Sequence, residues 1–76
     1  MEYKVSEKDE KQIENNFKYH TPKDDQATRY ERIRHEAKLF AESLGLVCPP
    51  SRELSLALTN LENAVMWANS SIARNE

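Results

Sequence analysis

An all-α fold, a short N-terminal helix followed by an antiparallel two-helix hairpin, is predicted by three observations. The first is sparse punctuation. The 76 residues include one glycine, Gly45, and three prolines, Pro22, Pro49 and Pro50, too few breakers for a chain of many turns. The second is apolar spacing. Tyr30, Ile33, Ala37, Phe40 and Leu44 recur three and four apart, and so do Leu54, Leu58, Leu61, Val65, Ala68 and Ile72. Such recurrence draws one stripe along a helix. The third is the Leu46-Val47-Cys48-Pro49-Pro50 connector, which cannot continue a helix and is short enough to fold one stripe onto the other.

The elements follow in order. Residues 6–16 are expected to form the first helix, with Ser6 as N-cap and Asp9 three positions on. Its apolar content is only Val5 and Ile13, so a surface helix of low stability is expected. The second helix is expected over 22–45. Thr21-Pro22-Lys23-Asp24 puts a proline at the first helical position, while Asp25 offers an alternative N-cap, and both starts stay open. Gly45 is the expected C-cap, since glycine enters the left-handed conformation without strain. The third helix is expected over 51–74, capped by Ser51, with Glu53 near its positive end. Together these make residues 1–76 a single helical domain.

A chain this short buries only about 60% of its unfolded surface, so its own core is marginal. Cys48 is the only cysteine, which rules out an internal disulfide. His20, His35 and Cys48 lack metal-ligand spacing; no metal and no cofactor is expected. Eighteen of the 24 charged residues fall in 1–38, so the charge-poor second half is expected to form the buried spine. Leu56, Met66 and Trp67 lie off its stripe. Burying one such side chain is worth roughly 1.5–3 kcal/mol. Assembly into a compact helical homo-oligomer is the simplest way to cover them; the alternative is that the first helix folds back over this face.

Charge and hydropathy narrow the partners. A net charge of -2 disfavours a sequence-independent DNA binder but leaves room for a small anion held by a few cations. The opening run is charged, unlike a signal peptide, and no apolar run approaches the ~18 residues of a membrane span. A soluble intracellular chain, touching no membrane, is expected.

Catalytic constellations are missing. Ser70-Ser71 have no histidine nearby in sequence, Cys48 has no neighbouring cation to make a reactive thiolate, and Asp24-Asp25 suit a helix start. One glycine cannot build a phosphate loop. A binding protein is expected, not an enzyme. Phe17-Lys18-Tyr19-His20-Thr21-Pro22 sets aromatics, a cation and an imidazole before a helix start, where a base stacks and a phosphate finds positive charge. The same aromatics also suit a packing staple. Arg34 and Lys38 are four apart on one face of the helix that this stretch leads into. They either meet the ligand or pair with Glu31 and Glu42, each such pair worth only ~0.2–0.5 kcal/mol. His20 either donates to a phosphate or caps a helix, and His35 is expected in solvent. Asn60, Asn63 and Asn69 are expected as interface hydrogen-bonders first and ligand readers second, and Trp67 as an interface anchor before a stacking plate.

These residues carry a resemblance. Phe17-x-Tyr19-His20-x-Pro22, Arg29-Tyr30-x-x-Ile33-Arg34, Pro50-Ser51-x-Glu53 and Leu61-Glu62-x-Ala64-x-Met66-Trp67-Ala68-Asn69-x-x-Ile72-Ala73-Arg74 resemble the phage anti-CBASS cyclic-nucleotide sponges of the second type. A similar hairpin occurs in certain anti-Thoeris sponges. The resemblance spans residues 15–75 and leaves 1–14 outside it. It implies a helical homohexamer that sequesters cyclic dinucleotides such as 3',3'-cGAMP or c-di-GMP uncleaved, in the cytoplasm of an infected bacterial host. Cyclic trinucleotides are a second class that some members hold. By the same resemblance Tyr19 is the stacking aromatic and Arg34 the phosphate cation, with Lys38 in reserve and His20 the one candidate for a separate trinucleotide site. Phe17 is a ligand-binding candidate from the aromatic stretch itself. The alternative function is a helical module docking on a host protein.

Overall fold

The computed structural model describes residues 2–76; the first position of the expected 1–76 domain lies outside them. The described residues form three helices and no strand: α1 (Glu7–Phe17), α2 (Gln26–Val47) and α3 (Arg52–Asn75). At the head of α1 the Asp9 N–H donates to Ser6 Oγ at 3.1 Å. Glu7, Asp9 and Glu10 fill its first turn, where the helix dipole favours acids.

α2 starts at Gln26, so the start at Pro22 is overturned and the alternative cap, Asp25, holds. The reason is local. Asp24 has φ 47, a left-handed conformation in which aspartate is among the few tolerated residues, and it breaks any helical path from Pro22. The Lys23 N–H donates to Gln26 Oε1 at 2.9 Å, and the Gln26 N–H returns to the Lys23 carbonyl at 2.8 Å. Asp25 has no side-chain cap bond; its carboxylate instead stands 3.2 Å from Arg29 Nε.

The expected stop at Gly45 is also overturned. α2 runs through Gly45 to Val47, and the Cys48 N–H closes the last turn on the Leu44 carbonyl at 2.9 Å. What ends the helix is Pro49, which drives the residue before it out of the helical region. Cys48 is accordingly extended, at φ -108 and ψ 137. At the next helix start the Leu54 N–H donates to Ser51 Oγ at 3.1 Å.

α2 and α3 pack as an antiparallel pair. Half-buried Tyr30, Ile33, Ala37, Ala41 and Leu44 face the half-buried Leu54–Ile72 stripe, every member of which lies where its spacing placed it. Phe40 does not join the seam; it is 55% exposed. Ala41 takes its place, four on from Ala37 and seven before half-buried Cys48. Phe40, one position earlier, turns off to the side.

No hydrophobic residue is fully buried among the described residues, and Gln26, 4% exposed, is the single buried side chain. The expected buried spine is therefore half-buried. The molecule measures 50 × 40 × 13 Å, a plate one helix thick. α1 does not fold back over α3: Leu56, Met66 and Trp67 stay exposed.

The open end of the hairpin is clasped. The Arg29 guanidinium donates through Nη1 to Glu76 Oε2 at 2.8 Å and through Nη2 to Glu76 Oε1. Gln26 Nε2 adds a bond to Oε1 at 3.2 Å, and Lys23 Nζ reaches the Glu76 carbonyl at 3.1 Å. Arg29, then the Gln26 amide, hold the Glu76 carboxyl at about 2, down from 4.5. The same hydrogen bond raises Arg29 above its ordinary value.

Candidate functional site

The site is built where the connector from α1 meets the clasped end of the hairpin. His20 Nε2 donates to the Asn15 carbonyl at 3.0 Å, closing the last turn of α1 from outside. The helix it closes is α1, not the α2 that follows it in the chain. The bond also leaves Nδ1 of the neutral ring as an acceptor.

Against this connector lies an open cleft of about 410 Å³. Lys18, Tyr19 and His20 supply one wall, and Tyr30 and Arg34 of α2 the second. Asn69, Ala73 and Arg74 of α3 supply the third. The antiparallel seam explains this convergence: the last turns of α3 lie beside the first turns of α2. Tyr19 is 80% exposed, presenting a ring face to anything that enters.

Three cations line the cleft, Lys18, Arg34 and Arg74, and no carboxylate does. The cleft is thus positive on a chain of net charge -2. The other arginines of α2 are engaged elsewhere: Arg29 in the clasp, and Arg32 with Glu36 at 3.1 Å. Among the described residues Arg34 and Lys38 form no ion pair, so Glu31 and Glu42 do not engage them. A guanidinium without a carboxylate partner keeps its forked donors for a bidentate acceptor such as a phosphate.

Of the residues singled out from sequence, the fold brings Tyr19, His20 and Arg34 into one cleft. Lys38 lies one turn beyond Arg34, in an adjoining groove of about 500 Å³ floored by Ala37, Ala41, Leu58, Leu61 and Val65. Arg34 borders both hollows. Phe17, 86% exposed, stands outside the cleft wall. The cleft also takes in Tyr30, expected only in the seam, Asn69, expected at an interface first and as a ligand reader second, and Arg74, which no residue pattern assigns to a site. The available signal was topological: an antiparallel hairpin returns the Asn69–Arg74 turn to the level of Tyr30.

Among the described residues no three His, Cys, Asp or Glu side chains come together as a metal site would need. No helix among them is long and apolar enough to cross a membrane.

Fold and site define a helical-hairpin domain that offers an aromatic and cationic cleft. The family model described as Acb2/Tad1, hairpin domain, matches residues 9–73. The chain belongs to that family, the anti-CBASS and anti-Thoeris sponges of cyclic nucleotides, which are in general non-catalytic. No curated protein and no solved structure matches it.

Proposed function

We propose that this protein binds cyclic dinucleotides such as 3',3'-cGAMP or c-di-GMP without cleaving them and so silences CBASS signalling in the cytoplasm of an infected bacterium. The observation that carries the reading is Arg34, unpaired in a carboxylate-free cleft beside the exposed ring of Tyr19. A base stacks on Tyr19 while a phosphodiester meets Arg34, with Lys18 and Arg74 adding to the positive field. Stacking is worth roughly 1–3 kcal/mol per base, and a hydrogen bond to a charged group roughly 1.5–3 kcal/mol.

The cleft is open on one side, and Leu56, Met66 and Trp67 are exposed. A homo-oligomer, with the hexamer as the specific expectation, covers these side chains and pairs clefts about a symmetry axis. A near-symmetric ring then receives the same contacts twice. Lys38, beside the shared residue Arg34, is the reserve cation, and cyclic trinucleotides are a second ligand class.

Calorimetry with a cyclic dinucleotide panel, together with the mass of the complex in solution, tests this. Tyr19→Ala and Arg34→Ala are each expected to weaken binding about 10- to 100-fold, the range those two energies imply, without changing the oligomer. Heating the wild-type complex is expected to release the ring intact. Undiminished affinity in both variants, or recovery of linear nucleotide, overturns the proposal. The exposed Leu56, Met66 and Trp67 also suit a module that docks on a host protein; stable capture of such a partner with no heat from any ring favours that second reading.

A further inference from the structure

Asn69 stands on α3 where the seam opens into the cleft. Its Oδ1 is closed off from solvent and accepts no hydrogen bond, alone among the cleft's described side-chain atoms. Its Nδ2 donates to no group among the described residues either. The neighbours one turn away on α3, Val65, Met66, Ile72 and Ala73, offer no side-chain donor. A buried acceptor left unmet is unfavourable, and an arriving N–H removes that penalty. The terminal torsion of asparagine is broad, so the carboxamide can turn outward to meet a ligand.

We propose that Asn69 is the base-reading residue of the cleft, its carboxamide pairing with an adenine through one accepted and one donated hydrogen bond. Adenine sets an amino donor beside a ring-nitrogen acceptor, the complement of a carboxamide. This inference rests on the cyclic dinucleotide reading and adds to it. Stacking on Tyr19 suits every base, and the phosphate contact to Arg34 is common to every ring. Neither of them chooses between bases, whereas hydrogen bonds to a base edge depend on which donor and acceptor that edge presents.

The experiment compares two rings, cyclic di-AMP and its analogue in which both adenines lack the 6-amino group, on wild-type chain and on Asn69→Leu, a substitution of similar size. The variant is expected to lose about 10-fold (about 1.4 kcal/mol) for cyclic di-AMP and clearly less for the analogue, which keeps only the ring nitrogen that accepts from the carboxamide. Asn69→Asp, which keeps an acceptor, is expected to retain the preference for the amino-bearing ring even where overall affinity falls. Equal losses for both rings, or no loss for either, overturn the assignment. Wild-type chain that binds cyclic di-GMP but ignores cyclic di-AMP also overturns it, while the sequestration reading stands. Wild-type chain that binds no ring of the panel sinks both.

Discussion

α1 and α3 begin in the same way and end differently. Each opens with a serine whose Oγ accepts an N–H three residues on, at 3.1 Å in both, and each has an acid in its first turn. α3 then carries six apolar residues on one line and half-buries all six against α2. α1 carries Ile13 and Phe17, both exposed. The cap sets where a helix starts; burying a stripe decides whether it persists. At 11 residues, α1 falls below the ~12–15 at which an isolated helix is even marginal in water.

The contrast is sharpest at the seam. Leu61→Ala removes a half-buried side chain from the α3 line, and a loss of about 2 kcal/mol is expected in thermal unfolding, the low end of the range for core leucines. A loss near zero would show that the seam is not what holds the hairpin. The matched caps give the next largest effect. Ser51→Ala is expected to lower hairpin stability by about 1 kcal/mol. Ser6→Ala, removing the same bond, is expected to leave the hairpin melt unchanged and only to speed amide exchange in α1. Equal shifts in the melt would mean that α1 and the hairpin unfold as one unit.

Gly45 offers a gain instead of a loss. It is helical, at no positive φ, and a Cβ there meets nothing within 4 Å. Gly45→Ala is expected to stabilise the chain by about 0.5–1 kcal/mol, and destabilisation would restore it as a cap. The smallest change at neutral pH is expected from Glu76→Gln, because the clasp is exposed to solvent and screened. Its effect appears in acid. The Glu76 carboxyl lies at about 2, lowered from 4.5, so its contribution is complete above 4.5 and is lost as the pH falls toward 2. An acid titration of unfolding is expected to show this part of the slope in wild-type chain and not in the variant.

What the sequence disclosed followed the range of each interaction. Ser6, Ser51 and the whole α3 stripe were legible because caps and periodicity act within one or two turns. Phe40 was misplaced because a spacing of three or four admits both 40 and 41, and only the partner helix decides. Thr21-Pro22 and Gly45 read as start and stop on local preference alone. Asp24 in its left-handed conformation and Pro49 beyond the true end overrode them. The clasp was invisible, since Lys23, Gln26 and Arg29 meet Glu76 across 53, 50 and 47 residues. In the site, Tyr19, His20 and Arg34 were legible as a chemical set near one helix start. Asn69 and Arg74 join them only through the return of α3, which no local pattern encodes.

The 13 Å thickness has a genetic consequence. In a body with an interior, some positions serve architecture and others contact, and mutation explores the second group freely. Here Tyr30 lines the cleft and also faces the α3 stripe, so a change there that tunes recognition also alters the scaffold presenting it. Drift toward new ligands should therefore concentrate in the connector around Tyr19, the stretch least committed to holding the two long rods together.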